Sequence, residues 1–272
     1  MIIDTRCRPP GVTVVTQRVA EHVATTLGAS LPRSFAESSL NIFFDEMTEA
    51  GITKALIVGR KHEGVPGFNA SNEFIASLCQ EYPDKFLGIA GIDVTEPREG
   101  RKKTEKYVEE QGFKGVAIEP EPAYVDDKRM YPIYAKCEEL DAIVYLTLSA
   151  LASPDLWYSS PVLVSHIAKD FPDMKIAVAH ACWPWAREMC GVAYRHPNVY
   201  VLPDLYLHSR APGWENYVQA ANLFLQDQLI FGTAYPLRPL KQSVDEASSL
   251  PFKNRETLKK YLYSNAAQLF KI

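Results

Sequence analysis

Residues 175–183 read Lys175-Ile-Ala-Val-Ala-His-Ala-Cys-Trp183. The run from Lys175 to Ala179 has strand length and no polar alternation, and it ends against His180. A run of that kind is covered on both faces, as strands of a parallel sheet are. The same pattern recurs outward in both directions. Further short apolar runs lie at Met1 to Asp4, Lys54 to Gly59, Phe86 to Ile92, Gly115 to Ile118, Ala142 to Leu148, Val199 to Leu202 and Leu229 to Gly232. Longer amphipathic stretches separate them, with helices expected to open near Asn69, Glu99, Tyr131, Pro161, Trp183 and Gly213, the first capped by Ser71 or Asn72.

Eight consecutive βα units predict an α/β protein, a single (β/α)8 TIM barrel spanning residues 1–272. No G-x-G-x-x-G follows the first run, which argues against an open dinucleotide-binding sheet. The segment from Pro9 to Pro32, with a helix from Ser34 to Ala50, is too long for a tight βα loop and reads as an insertion after strand 1. No linker rich in Gly, Ser or Pro divides the chain, so one domain is expected.

Composition narrows the function classes. The chain has 272 residues, 47% apolar and 23% charged, with 29 basic against 33 acidic side chains and a net charge of -4. That balance, without a Lys/Arg cluster, argues against nucleic acid or an acidic membrane as partner. No stretch approaches the ~20 uninterrupted apolar residues of a membrane span, and the first residues lack a signal-peptide pattern. Cys7, Cys79, Cys137, Cys182 and Cys190 are odd in number and lack CxxC spacing, so neither a disulfide framework nor a structural zinc site is expected. The expected setting is cytoplasmic, the expected partner a small-molecule carboxylate, and pairing with a second copy is left open.

In such a barrel the active groups close the strands and occupy the loops that follow. Arg6 and Arg8 stand two positions apart after the first run, so their side chains share one side of an extended backbone. Two guanidiniums there make an anion site, unless they swing outward to surface acids. His180 is a candidate general base, and Glu119, closing the fourth run, either assists it or pairs with a cation. Arg60, Lys61 and His62 follow the second run and extend the positive lining. Asp204 and Tyr206 follow the seventh run and Tyr235 the eighth, while Trp183 offers an apolar wall. These seven are candidate substrate-binding residues.

Several segments together resemble a known family. They are the opening Ile-Ile-Asp-Thr-Arg-Cys-Arg-Pro-Pro, Lys85 to Asp93, Gly112 to Pro120, Ala177 to Trp183, Phe231 to Pro236 and the closing Asn265-Ala-Ala-Gln-Leu-Phe270. They look like the amidohydrolase-related barrels of the aminocarboxymuconate semialdehyde decarboxylase type. The resemblance implies a site in which His-x-His on strand 1, a histidine on each of strands 5 and 6, and an aspartate on strand 8 hold a divalent metal. The matching positions here read Arg6, Arg8, Leu146, His180 and Ala234, so only His180 agrees. One imidazole cannot hold zinc with its usual three or four ligands, and two permanent cations would repel the ion. Glu119, Asp204 and His208 carry suitable atoms, but no spacing among them demands a shared ion. No metal or other cofactor is therefore expected.

Two guanidiniums preserve a formal charge of +2 where the family keeps its ion. The first expectation is a metal-independent hydrolase of a carboxylated ester, lactone, thioester or activated ketone, with His180 as base. The alternatives are a decarboxylase, hydratase or carbon-bond lyase on a β-keto or enol acid, and a binding protein without catalysis.

Overall fold

A computed structural model describes residues 1–272 apart from 13, 14, 62–69, 121, 122, 152 and 154. Seven parallel strands run in chain order: β1 (Ile2–Cys7), β2 (Ile52–Val58), β3 (Phe86–Gly91), β4 (Gly115–Ile118), β5 (Ile143–Ser149), β6 (Ile176–Trp183) and β7 (Val199–Leu202). The curled sheet with its flanking helices is that of a TIM barrel. The helices are α1 (Gln17–Thr26), α2 (Arg33–Ala36), α3 (Leu40–Ala50), α4 (Asn72–Glu81), α5 (Pro97–Glu105), α6 (Tyr131–Glu139), α7 (Pro161–Asp170), α8 (Ala186–Arg195), α9 (Asp204–His208), α10 (Trp214–Leu223), α11 (Leu240–Ser248), α12 (Arg255–Lys259) and α13 (Asn265–Phe270). Among the described residues, no helix is long and apolar enough to cross a membrane.

The eighth run corrects the sequence expectation, because it occupies the eighth position without forming a regular strand. It touches both of its neighbours, through Ile230 N–H to Val201 O (3.0 Å) on one side and Thr5 N–H to Phe231 O (3.0 Å) on the other. It meets β1 again through Ala234 N–H to Arg6 O (3.0 Å) and Arg8 N–H to Tyr235 O (3.1 Å), but Ala234 takes a left-handed φ of 60°, and just before it Thr233 turns its N–H onto the Asp4 carboxylate (2.9 Å). A side chain thus replaces a backbone acceptor.

Alternation along the strands sets which side chains reach the centre. Ile143 and Tyr145 of β5 join Leu56, Val58, Ile89, Ala117, Ala177 and Ala179 in the interior cluster, together with Ala266, Leu269 and Phe270 of α13. Val144, Leu146 and Leu148 belong to the cluster shared with the surrounding helices. Leu146 therefore faces outward, and Thr147 is the inward residue at the end of β5.

Two close approaches shape the mouth. A Cβ on Gly59 would lie 2.4 Å from the Gly91 nitrogen, so only glycine lets β2 and β3 end this close together. Asn72 clamps the junction, donating to Gly91 O (2.9 Å) and accepting from Gly91 N–H (2.8 Å). A Cβ on Gly232 would sit 2.7 Å from that of Arg6, so glycine here makes room for the arginine.

The insertion contains α1, and its expected long helix is split into α2 and α3. Ser38 adopts φ 50°, and the Ser39 hydroxyl then caps the second piece by accepting from Ile42 N–H (3.3 Å). Arg238, wholly buried beyond the eighth segment, ties α1 down by donating to Leu27 O (2.6 Å).

Candidate active site

Arg6 lies inside β1, which runs on to Cys7 rather than ending at Asp4, and Arg8 follows it. Both are buried, so neither swings out to solvent. Arg8 donates from Nε to Val58 O (2.9 Å) and from Nη2 to Glu119 Oε1 (3.1 Å). Arg60 Nε stands 2.6 Å from Glu119 Oε2. One carboxylate is therefore shared by two guanidiniums. Burial alone would raise Glu119, but the charges of Arg60, Arg8 and Arg6 outweigh it and hold the group below the usual carboxylate range. Burial, and then Arg6 beside it, bring Arg8 down to about 9, which still leaves it protonated at neutral pH.

Arg6 differs from the other two. Its guanidinium carbon is 5.8 Å from the centroid of the Tyr145 ring. Its Nη1 is buried and makes no hydrogen bond among the described residues. Tyr145 marks the point where the charges meet, since its hydroxyl, raised by burial, also feels Arg6, Asp204, Asp4 and Arg8.

Across the mouth, β6 loses its regular pairing after Ala179 and regains it at Trp183. His180, Ala181 and Cys182 take left-handed φ values of 62°, 46° and 59°, and Asp204 takes 38°. Each such non-glycine residue costs roughly 1–2 kcal/mol and persists only where its surroundings enforce it. Here the enforcing group is Asp204. Its carboxylate, with no exposed surface, accepts from the His180 N–H (3.2 Å) and the Leu205 N–H (2.6 Å) and lies 2.9 Å from His180 Nδ1. A carboxylate on Nδ1 selects the tautomer with its proton there, which leaves Nε2 as the acceptor.

The Tyr206 ring meets His180 nearly edge-on, with centroids 5.7 Å apart, and Trp183 stacks on Tyr206 at 4.5 Å. The Trp183 indole N–H is fixed on Pro212 O at 3.0 Å. Together the two rings form a wall beside the imidazole.

The structure thus gathers Arg6, Arg8, Arg60, Glu119, His180, Asp204, Tyr206 and Trp183. Asp204, expected to touch a substrate, is instead spent on positioning His180. Glu119 is paired with Arg8 and Arg60. Tyr235, also expected in the mouth, shares a hydrogen bond with Ser34 Oγ (2.7 Å) and packs on Phe43 at 5.0 Å, so it belongs to the helix layer. Lys61 lines a separate cleft of about 320 Å³ with Asn72, Glu73 and Lys103. His62 lies outside the described residues. Sequence reasoning misses Thr147 because the resemblance puts Leu146 at the position of the fifth-strand histidine. Counting by twos from Tyr145, the interior residue, would have found it. Its Oγ1 is buried and makes no hydrogen bond among the described residues.

The family resemblance implies a divalent metal, and the residues gathered here do not fit one. Among the described residues, no three His, Cys, Asp or Glu side chains come together as an ion would require. The Asp204 oxygens already accept three N–H groups, and the strand-1 positions carry permanent cations. His208 stands apart, its Nε2 at 2.8 Å from the Tyr261 hydroxyl, and burial lowers it to about 3.

Comparison with known proteins agrees with the barrel. A solved structure of an uncharacterized TIM-barrel protein from Bordetella bronchiseptica is 35% identical, with a TM-score of 0.93 over 99% of this chain and 98% of that one. A gamma-resorcylate decarboxylase of Polaromonas sp. is 20% identical over 248 residues, 74% of this chain and 75% of that protein. A 2-keto-4-carboxy-3-hexenedioate hydratase of Sphingobium sp. is 24% identical over 145 residues, 45% of this chain and only 42% of the hydratase. The model of the amidohydrolase family matches residues 42–272, and the chain belongs to that family.

Proposed function

We propose that this chain is a metal-independent lyase acting on a small β-keto or enol carboxylate. The observation that carries the reading is a buried guanidinium, on Arg6, whose Nη1 has no hydrogen-bond partner among the described residues, at the same mouth as an imidazole fixed by Asp204. In decarboxylation the carbon–carboxylate bond breaks, its electron pair passes into an enolate, and carbon dioxide departs. Positive charge at Arg6, backed by Arg8, stabilises that enolate, and protonated His180 returns a proton to carbon from Nε2. Hydration uses the same proton transfer with water as the added group. The names of the decarboxylase and hydratase relatives support lyase chemistry over hydrolysis.

A second reading, hydrolysis of a carboxylated ester, lactone, thioester or activated ketone, has one observation in its favour. With Nδ1 bound to Asp204, neutral His180 presents the lone pair that a base for water needs.

The deciding experiment offers chelator-treated protein β-keto acids and carboxylated lactones side by side. Carbon dioxide release or proton exchange at carbon, lost on the order of 10²–10⁴-fold in His180→Gln, supports the lyase. Turnover of lactones alone supports the hydrolase. Activity that returns only with stoichiometric manganese or zinc overturns metal independence.

A further inference from the structure

Two polar side-chain atoms facing the interior between β1 and β6 lack hydrogen-bond partners among the described residues: Arg6 Nη1 and Thr147 Oγ1. Both residues are more than nine-tenths buried, Arg6 at 5% exposure and Thr147 at 1%. A buried donor without a partner carries the full cost of its lost hydration, and native proteins rarely keep one without a use.

Position connects the two. The Arg6 guanidinium stands over the Tyr145 ring, and Thr147 is the next inward residue along β5. Thr147 also pairs in register with Ala179, the residue before the turn that begins at His180. Arg8 and Arg60, by contrast, already share Glu119. A substrate carboxylate therefore gains most at Arg6, where no anion has to be displaced.

We infer that Arg6 and Thr147 form the carboxylate subsite, with the guanidinium and the hydroxyl donating to one bound carboxylate beside His180. The assignment rests on the reading that this mouth takes a carboxylate, and it makes Thr147 a substrate-binding residue. Arg8 and Arg60 then set the field around the subsite and leave direct contact to Arg6.

The test uses the full chain, with benzoate and malonate as probes, titrated by calorimetry alongside thermal unfolding of the free protein. Thr147→Val keeps the shape and removes the hydroxyl. It is expected to weaken binding of at least one probe about tenfold, the value of one hydrogen bond to a charged group. Its midpoint without probe should stay level or rise, because an unpaired buried hydroxyl has been replaced by a methyl. Thr147→Ser should keep the affinity, and Arg6→Gln should abolish it.

Wild-type affinity in Thr147→Val, a lowered midpoint in the free variant, or binding of neither probe to the wild type would each overturn the subsite. Binding needs no turnover, so the two readings fail separately. Probe affinity that depends on Thr147 in a protein inert toward every keto acid keeps the subsite and removes the lyase. Turnover with probe affinity indifferent to Thr147 does the reverse.

Discussion

The two sides of the barrel mouth handle buried charge in opposite ways. Where β1, β2 and β4 end, Arg8 and Arg60 close on Glu119, and the carboxylate is met by guanidinium on both oxygens. Where β5, β6 and β7 end, Asp204 goes to the His180 backbone and ring, and Arg6, reaching across from β1 to Tyr145, keeps a nitrogen without a partner among the described residues. The first arrangement is what stability alone selects once charges are buried. The second is stable only because the rest of the fold bears its cost, and buried groups left incomplete in a free protein are what a ligand completes. Backbone strain follows the same division, since His180, Ala181, Cys182 and Asp204 all stand on the second side.

The contrast can be broken by substitution, and the largest effect is expected on activity. Asp204→Asn replaces one accepting oxygen by an N–H donor, so the His180 tautomer is no longer fixed, and turnover should fall on the order of 10²–10⁴-fold, with the pH–rate profile altered. Steady-state kinetics on the lyase substrate read it. A profile that keeps its shape would show that Asp204 serves the fold alone.

Next in size is stability on the paired side. Glu119→Gln strands two buried cations and should cost about 3–5 kcal/mol in denaturant unfolding. Arg6→Gln removes a cation that makes no direct ion pair among the described residues and stands beside Arg8, and it should be neutral or stabilising. Equal losses from the two substitutions would erase the distinction between the sides.

Asp4 adds a pH signature of smaller size. Burial, partly offset by hydrogen bonds from Thr233 and the Arg6 backbone, raises it from 3.8 to about 6. The folded state then binds the proton more tightly than the unfolded state. The associated stability is present below the unfolded pKa and is lost as pH rises through about 6, a change of about 3 kcal/mol. Glu119, held low, has the opposite sign: its stabilisation is present above the unfolded pKa and is lost as pH falls. Asp4→Asn should flatten the first trend, read from unfolding midpoints between the unfolded pKa of 3.8 and pH 7, and leave the second, read as pH falls below 4.5. The smallest effect is expected outside the mouth. Tyr235→Phe loses one hydrogen bond to Ser34 and should cost about 1 kcal/mol, with turnover unchanged.

The strands were legible because their signal is local. Phe86 to Ile92 and Gly115 to Ile118 are apolar runs bounded by glycine and charge, and both reappear within a residue or so. His180, Arg6 and Arg8 stand out in the sequence because a polar group closing an apolar run needs water, a ligand or a charged partner, and the structure buries all three at the mouth. The failures share another cause. The resemblance matches Leu146 to an inward ligand, and hydrophobicity alone gives no parity to correct it in a strand buried on both faces, where only the neighbouring strands decide which face looks to the centre. Tyr235 was placed in the mouth, although the nearby Phe43 and Ser34 lie far away in the chain and offer it a better site.

The order of the elements, the barrel they build and the appearance of arginine beside histidine were all set within short windows of sequence, where periodicity and strand ends carry the information. Pairing was not. That Glu119 goes to Arg8 and Arg60, that Asp204 goes to His180, and that Arg6 Nη1 and Thr147 Oγ1 find no hydrogen-bond partner among the described residues depends on contacts between residues tens to hundreds of positions apart. A charge in a sequence has no partner until folding brings one within hydrogen-bonding distance, and only the folded barrel shows which charges were left without one.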